Sequence, residues 1–415
     1  MDYLIVGGSA AGLSAVEGIR SVDKEGKITV ISSEKPYTRV YLAEYLAGEA
    51  RLENLKIKSE EFFKKNRVDF LLGFVEKVEE REVVYRDLES GEERFLNYDK
   101  LLIATGSKPF VPPIRGVELE GVFTFWTLKD ADDLLSYIRR ENCKNAVVVG
   151  AGPIGLEVAQ SLKEMGLEVA VFELMERILP GVADFEVAEF VKKEYEEMGI
   201  KIYTAERVEQ FYGEKRVKGV STSGWEDFPV DVVVLSTGVR PNTEKFSKFV
   251  KTNIGIVVDR RMETSREGVF AAGDVAEAQD VFGKFSVIGS WINAVSQGRI
   301  AGMNMAGRDV RHRGGIRVST IKKIRTPMIS IGAAAEEYEK HVLKREDFVR
   351  VAYFDGKRLV GFQSAGSFLD LKLSGLIQFM IAKGIPVENK EEFLRRPFRY
   401  FDQKTIFYEW KRVGL

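Results

Sequence analysis

Cysteine and histidine are scarce in this sequence. It holds one cysteine, Cys143, and two histidines, His312 and His341, in 415 residues. A disulfide within the chain is therefore excluded, and a His-based metal site or catalytic dyad is not expected. No apolar run approaches the roughly 18 residues of a membrane span. Lysine and arginine number 62 against 63 acidic residues, so the chain lacks the excess of positive charge that is typical of nucleic-acid-binding proteins.

The composition instead indicates a globular protein that can bury a sizeable core. Hydrophobic residues make up 45% of the chain. Its length predicts two or three domains, because a single core stops growing at roughly 250–300 residues. The first predicted strand begins at Tyr3, which leaves no room for a signal peptide, so we expect a cytoplasmic protein. Abundant Glu, Lys and Arg resemble the composition of hyperthermophile proteins, with ordinary surface charge as the alternative.

One structural unit occurs twice at domain scale. The segments Tyr3–Ile19 and Ala146–Leu162 each read as a β-branched strand, a glycine turn and an apolar-periodic helix. A second strand follows each of them, at Lys27–Ser32 and Glu168–Glu173. Strand, turn, helix and strand in this order predict the start of a parallel sheet in each half.

The turns have the chemistry of dinucleotide binding. The first glycine makes a tight turn, the second lets backbone approach a pyrophosphate, and the third lets helix and strand pack closely. The pyrophosphate then lies on the amides at the helix N-terminus. The second copy has glycine at all three positions, whereas Ser9 takes the middle position in the first copy. The predicted contacts are Gly7, Gly8, Ser9, Ala10, Ala11 and Gly12 in the first turn, and Gly150, Gly152, Pro153, Ile154 and Gly155 in the second.

Acidic residues at the end of the second strand predict the ribose contacts. Glu173 lies 23 residues after Gly150, where a carboxylate bonds both ribose hydroxyls and repels a 2′-phosphate. NAD is therefore favoured over NADP, although Arg177 nearby keeps the second alternative open. In the first copy Ser32, Ser33 and Glu34 are all candidates.

Further strand-to-turn signals follow in order along the chain. Two apolar strands end in small-residue turns, and a third ends in Gly-Asp. Any one of them could be an ordinary turn, but all of them in this order are not accidental. They comprise Ala104, Thr105 and Gly106, then Ser236, Thr237 and Gly238, then Gly273 and Asp274.

These motifs resemble the pyridine nucleotide–disulfide oxidoreductase superfamily of FAD enzymes, along residues 1 to about 310. The resemblance implies an α/β, glutathione-reductase-like fold with two Rossmann-like domains and a C-terminal α+β domain. It implies an FAD-binding domain at 1–112 and 243–312, an NADH-binding domain at 113–242 and the C-terminal domain at 313–415. It also implies that Asp274 bonds the ribityl chain of FAD, that the Thr105 and Thr237 turns lie along the two nucleotides, and that Val75 contacts the FAD adenine through its backbone.

The branch of the superfamily is indicated by a missing cysteine. The segment Glu34–Glu49 follows the second strand, where disulfide-reductase branches keep one or two cysteines, and it has none; Val40 stands at about that place. Its Pro-Tyr-x-Arg pattern, which includes Arg39, resembles rubredoxin reductases, ferredoxin reductases and the flavin region of nitrite reductases. Gly289–Gly307 resembles the same branch, which implies that Trp291 and Ala294 lie near the flavin.

The resemblance also implies a catalytic residue, Glu157. In ferredoxin reductases this glutamate pairs with a lysine near flavin N5, but here the lysine position holds Glu44. Two buried carboxylates repel, so one of them would stay protonated. Arg39 is the alternative partner for Glu157.

The predicted function is electron transfer from NADH through FAD to a small rubredoxin- or ferredoxin-like protein. The alternatives are an NADH oxidase reducing oxygen and a flavin subunit of a larger complex, and a homodimer is also open. Cys143 precedes the central strand and is interpreted as structural. The basic residues Lys322, Lys323 and Arg325 either steer an acidic partner or are ordinary solvated charges.

Overall fold

The computed structural model of the chain describes residues 1–322, 324–325, 327–397 and 399. The strands lie at β1 Asp2–Val6, β2 Lys27–Ser32, β3 Val68–Val78, β4 Glu82–Asp87, β5 Glu93–Asn97, β6 Lys100–Ile103, β7 Ser107–Pro109, β8 Val122–Thr124, β9 Asn145–Val149, β10 Glu168–Phe172, β11 Lys201–Tyr203, β12 Val208–Tyr212, β13 Gly219–Thr222, β14 Phe228–Pro229, β15 Val232–Leu235, β16 Val239–Pro241, β17 Ile256–Val257, β18 Val269–Ala271, β19 Ala276–Gln279, β20 Phe285–Ser286, β21 Val318–Ile321, β22 Met328–Gly332, β23 Glu339–Lys344, β24 Val349–Asp355 and β25 Arg358–Ala365.

Helices connect or follow these strands. A short 3-10 turn covers Arg39–Tyr41. The α-helices lie at α1 Ala10–Val22, α2 Leu42–Leu46, α3 Leu52–Leu55, α4 Glu60–Lys65, α5 Leu128–Glu141, α6 Pro153–Glu164, α7 Phe185–Glu197, α8 Trp291–Met305, α9 Phe368–Lys372, α10 Ser374–Lys383 and α11 Lys390–Arg395. Within the described ranges no helix combines the length and the apolar character that a membrane crossing needs.

The first compact unit contains Met1–Tyr45, Ala50–Pro109 and Val239–Ile316. Its main sheet has the order β18-β6-β1-β2-β3-β4-β5, parallel from β18 to β3 and antiparallel beyond. The central strands are almost entirely apolar, as expected of parallel strands covered on both faces. Ile5, Ile28 and Leu102 lie in the resulting core with no exposed surface.

The second compact unit contains Leu46–Glu49, Phe110–Gly238 and the described residues from Arg317 onward. A parallel sheet of order β11-β10-β9-β15-β8 carries the second glycine turn, and an antiparallel sheet of order β21-β22-β25-β24-β23 follows later in the chain. Asp184, which precedes α7, joins the two parts: its amide donates to Gln363 Oε1 at 2.7 Å, and Tyr353 donates to its carboxylate. The three-domain division stays a prediction beside these two units.

Candidate functional site

The first glycine turn connects β1 to α1 at the carboxyl edge of the first sheet. Gly7 has a φ of +117°, and a β-carbon there would collide with the carbonyl oxygen of Ala104. A β-carbon on Gly12 would collide with the Gly7 carbonyl oxygen. Ser9 is the N-cap of α1, and its side chain forms no capping hydrogen bond. The turn thus brings the helix N-terminal amides to the sheet edge, where an anion can accept from them.

Helix α8 packs on α1 backbone to backbone. A β-carbon on Gly298 would collide with the Ala11 carbonyl oxygen, and one on Gly302 with the Ala15 carbonyl oxygen. The sequence prediction missed these two glycines, although their spacing of four residues on a helix is a signal for close packing. The contact holds α1, and with it the glycine turn, against a second helix.

The turn after β6 lies beside the glycine turn. The Ala104 amide donates to the Val6 carbonyl at 2.7 Å, and Gly106 has a φ of +66°. Asn242, which the sequence prediction missed, ties this turn down: its side-chain amide donates to the Thr105 carbonyl at 2.9 Å. The predicted residues of the two turns therefore lie at one edge of the sheet.

Asp274 follows β18 at the same edge and is half-buried. The Gly273 amide donates to Gln297 Oε1 at 2.9 Å, and Ser107 donates to Asp274 Oδ2 at 3.3 Å. Burial raises the pKa of Asp274, against the smaller lowering effects of the Ser107 hydroxyl and the Arg39 charge. Gln297 and Ser107 are positioning residues that the Gly-Asp motif alone does not reveal, because both lie outside it, Ser107 by 167 residues.

Ser33 and Glu34, the two residues that follow β2, differ in exposure and in hydrogen bonding. Ser33 is exposed. Glu34 forms an ion pair with Arg39 and accepts a hydrogen bond from the Tyr37 hydroxyl at 2.7 Å. Arg39 thus has a carboxylate partner within its own unit, and its pairing with Glu157 stays a prediction.

Trp291 begins α8, whose N-cap is Ser290; the Ser290 side chain accepts from the Asn293 amide at 3.3 Å. The Trp291 side chain is partly buried against the core of the first unit, and Ala294 is 7% exposed. Packing accounts for both residues, so their predicted position beside the flavin is not needed to explain the burial and stays a prediction.

The segment after β2, where related disulfide reductases keep a redox thiol, has no cysteine. Val40 and Tyr41 are exposed there, at 46% and 45%. Glu44 has one carboxylate oxygen that is buried without a hydrogen-bond partner among the described residues.

Cys143 is buried in the second unit, and burial raises the pKa of its thiol to about 11, with a further contribution from the Asp231 charge. It is therefore protonated and unreactive at neutral pH.

The second glycine turn connects β9 to α6. Gly150 has a φ of +103°, and a β-carbon on it would collide with the Ser236 carbonyl oxygen. A β-carbon on Gly155 would collide with the Gly150 carbonyl oxygen. At Gly152, by contrast, a β-carbon would meet nothing within 4 Å. The middle glycine therefore faces open space, as a close approach of ligand to backbone requires, and Pro153 starts the helix directly after it.

Glu173 lies at the end of β10, as predicted, but its environment is more enclosed than the motif suggests. It is 6% exposed, and its two oxygens accept from the Ala151 amide at 2.7 Å and the Met175 amide at 2.9 Å. A carboxylate offers about four acceptor sites, so ribose hydroxyls can still be accommodated. The sequence prediction missed that the same carboxylate holds the glycine turn.

The loop after Glu173 also contacts that turn. The Leu179 amide donates to the Ala151 carbonyl at 2.8 Å, with Leu179 in the left-handed region at a φ of +54°. Arg177, the residue that left NADP as an alternative cofactor, donates through Nε to the Ala183 carbonyl at 3.2 Å.

The predicted turn after β15 is also held by a hydrogen bond. Thr237 donates to the Phe110 carbonyl at 2.6 Å, and the next residue, Gly238, has a φ of +99°.

Glu157 lies on α6 and is half-buried. Together with burial, its charge raises the pKa of Tyr195, which is completely buried on α7. The predicted position of Glu157 near flavin N5 stays a prediction.

Of the three basic residues that were predicted to attract an acidic partner protein, the structure describes two. Arg325 lies within 3.8 Å of Glu194 and 3.7 Å of Glu197. Lys322 is exposed, and Lys323 lies outside the described residues. The paired state of Arg325 favours the interpretation as ordinary surface charge for that residue.

Each unit thus has a parallel sheet that carries a glycine turn of the kind that dinucleotide-binding proteins have. Residues 1–298 match the family described as pyridine nucleotide-disulphide oxidoreductase, and the chain belongs to this family. The predicted superfamily and α/β fold are thereby confirmed.

Relatives and solved structures give the activity in outline. The chain is 36% identical over 324 residues to an NADH oxidase of Methanocaldococcus jannaschii, covering 75% of this chain and 71% of the relative. It is similar to the structure of an NAD-dependent persulfide reductase from A. fulgidus, with a TM-score of 0.86, 30% identity and coverage of 93% and 77% of the two chains. It is also similar to that of a ferredoxin reductase from Rhodopseudomonas palustris, with a TM-score of 0.84, 26% identity and coverage of 95% and 99%. The chain is an NADH-dependent flavoprotein oxidoreductase that uses FAD and NAD(H).

Proposed function

We propose that this chain passes electrons from NADH, through FAD, to a small redox protein of the rubredoxin or ferredoxin kind. The observation that carries the proposal is the absence of a thiol in the segment after β2, where Val40 is exposed. The single cysteine of the sequence, Cys143, is buried with a raised pKa in the other unit. Because no dithiol relay is available, electrons leave the flavin directly.

The residues of the first unit fit FAD. The amides of the turn at Gly7–Gly12 can donate to a pyrophosphate at the N-terminus of α1. Asp274 accepts from the Ser107 hydroxyl and follows Gly273, whose amide donates to Gln297, and its carboxylate can accept from ribityl hydroxyls. Bound FAD supplies a ring that accepts hydride and releases electrons one at a time. In this proposal the FAD contacts are Gly7, Gly8, Ser9, Ala10, Ala11, Gly12, Ser33, Glu34, Arg39, Val75, Ala104, Thr105, Gly106, Gly273, Asp274, Trp291 and Ala294.

The residues of the second unit fit NADH. Open space at Gly152 admits the pyrophosphate, and Glu173 at the end of β10 can accept from the adenosine ribose. Orientation of the nicotinamide is the contribution of the protein, since hydride transfer needs no side chain as acid or base. In this proposal the NADH contacts are Gly150, Gly152, Pro153, Ile154, Gly155, Glu173, Thr237 and Gly238, with Glu157 toward the reacting ring.

Similarity to a ferredoxin reductase along almost the full length of both chains supports a protein acceptor. The second candidate is an NADH oxidase reducing oxygen, which is favoured by 36% identity to a relative of that name. In both candidates the NADH and FAD sites are the same, and only the acceptor differs.

NADH oxidation under strict anaerobiosis tests the proposal. The purified protein is mixed with NADH alone, with rubredoxin and with ferredoxin, at several salt concentrations. We expect a carrier-dependent rate that falls as salt rises, because charge steering weakens with screening. A Cys143→Ser variant run in parallel should behave as wild type.

Each other outcome selects a different function. Turnover that is restored by oxygen alone would establish the oxidase. Turnover that appears only after a partner subunit is added would make the chain a flavin subunit of a larger complex.

A further inference from the structure

Lys245 lies in a turn segment of the first unit, four residues beyond the end of β16. Its neighbour Phe246 is 3% exposed in the core, and the Phe246 amide donates to the Thr243 carbonyl at 2.9 Å. The backbone of Lys245 is therefore anchored, while about a third of its side chain is exposed. The sequence motifs gave this lysine no role.

Its ammonium group contacts three consecutive residues of β3. Lys245 Nζ lies 4.1 Å from the centroid of the Phe74 ring, 3.0 Å from the Val75 carbonyl oxygen and 2.5 Å from a Glu76 carboxylate oxygen. The β3–β4 ladder changes register here: Val75 is paired with Tyr85 and Lys77 with Val84. One extra residue in a strand leaves main-chain groups unpaired. The lysine thus secures an irregular stretch of backbone.

This stretch lies next to the predicted adenosine end of the FAD site. Ser32, the last residue of β2, is in register with Leu72 of β3, so Val75 lies three residues beyond the carboxyl end of β2. Nucleotides in open parallel sheets bind outside the carboxyl ends of the strands. Glu34 follows β2 at the same end. The inference below rests on the FAD site proposed above.

We propose that Lys245 is a positioning residue for the adenine of FAD. A carbonyl oxygen has two lone pairs, and the lysine takes one of those on Val75. The other lone pair stays directed for the adenine N6 amino group, which can donate to it. Lys245 therefore acts on adenine through Val75, without touching the flavin ring.

A cycle of two proteins and two ligands isolates this role. Apoprotein of wild type and of Lys245→Met is titrated with FAD and with FAD whose adenine carries a 1,N6-etheno bridge, which removes the N6 donor. Dissociation constants are read from flavin fluorescence. Loss of one oriented hydrogen bond predicts about tenfold weaker FAD binding by Lys245→Met. The etheno analogue should bind both proteins equally.

Two further variants serve as controls. Lys248→Met removes an exposed lysine three residues along the same segment and should leave both dissociation constants unchanged. Lys245→Arg keeps a cationic donor and should recover part of the FAD affinity.

Three results would overturn the inference. Equal weakening of FAD and the analogue in Lys245→Met would make the lysine a general structural support. Unchanged FAD affinity would show that the Val75 carbonyl does not need it. Tighter FAD binding would show that lysine and adenine compete for that oxygen. If wild type binds no FAD at all, the proposed function itself fails, and this is seen before any variant is made.

Discussion

Glu173→Gln tests whether the buried carboxylate of the second unit reads the ribose of NADH. In the structure Glu173 accepts one hydrogen bond from the Ala151 amide and one from the Met175 amide. Glutamine keeps the shape and one acceptor oxygen, so one of the two amides loses its acceptor. A hydrogen bond to a charged group contributes about 1.5–3 kcal/mol, and we expect the free energy of unfolding to fall by about that amount.

The effect on cofactor choice has a different cause. Removing the negative charge removes the repulsion of a 2′-phosphate and weakens the bonds to the ribose diol. A specificity effect of about 1–3 kcal/mol corresponds to a ten- to hundredfold change. The ratio of kcat/KM for NADH to that for NADPH should therefore fall by about this factor in Glu173→Gln. The assay is anaerobic dye reduction with each cofactor, beside chemical unfolding of the same preparations.

Glu176→Gln is the matched control, because Glu176 is an exposed glutamate three residues further along the same loop. It should change neither the unfolding free energy nor the cofactor ratio. If Glu173→Gln is folded and loses activity with both cofactors equally, the carboxylate only supports the turn and the ribose assignment is wrong. A wild-type preference for NADPH would refute the reasoning before any substitution is made.

The other predictions concern FAD and the cysteine. The purified protein should be yellow, and chromatography of the heat-released flavin should show FAD; colourless protein that takes up no added FAD would contradict the assignment of the first turn. Burial raises the pKa of Asp274, so the folded apoprotein binds that proton more tightly than the unfolded chain. The contribution of this one carboxyl to stability should therefore fall as pH rises through the range just above 3.8, whereas carboxyls with a lowered pKa, such as Asp23, contribute in the opposite direction. Relative to Asp274→Asn, the wild-type free energy of unfolding should fall as pH rises through that range. The variant should also bind FAD more weakly, and an unchanged FAD dissociation constant would exclude the ribityl contact. Cys143→Ser should leave NADH-driven dye reduction within a factor of about two, and a large loss, or inhibition by thiol alkylation, would restore a thiol mechanism.

The sequence was a good guide to the elements that repeat a local pattern. The two strand–turn–helix units lie where the glycine spacing predicted them, because each turn needs a positive φ or a close approach that few residues other than glycine allow. The same holds for Gly106, Gly238 and Gly273, whose φ values are +66°, +99° and +80°. Local backbone requirements of this kind are recorded in the residue types themselves.

Partners from distant parts of the chain were not predictable in this way. Gln297 on α8 accepts from the Gly273 amide in the turn after β18, and the Asn242 side chain donates to the Thr105 carbonyl across 137 residues of sequence. An amide side chain forms such a bond in any environment that offers a donor or acceptor, so its residue type does not identify its partner. Only the arrangement of the strands brings these pairs together.

Glu173 shows why a motif match can be right about position and incomplete about role. The ribose interpretation needs a carboxylate at the end of β10, and the structure has one there. Holding the glycine turn also needs an acceptor at that place, because the Ala151 amide donates to it. Both requirements select the same residue type, so the sequence cannot separate them, and neither can a substitution that removes the whole side chain. A change that alters charge with little change in shape can separate them, since only ribose recognition predicts a shift in the ratio between the two cofactors.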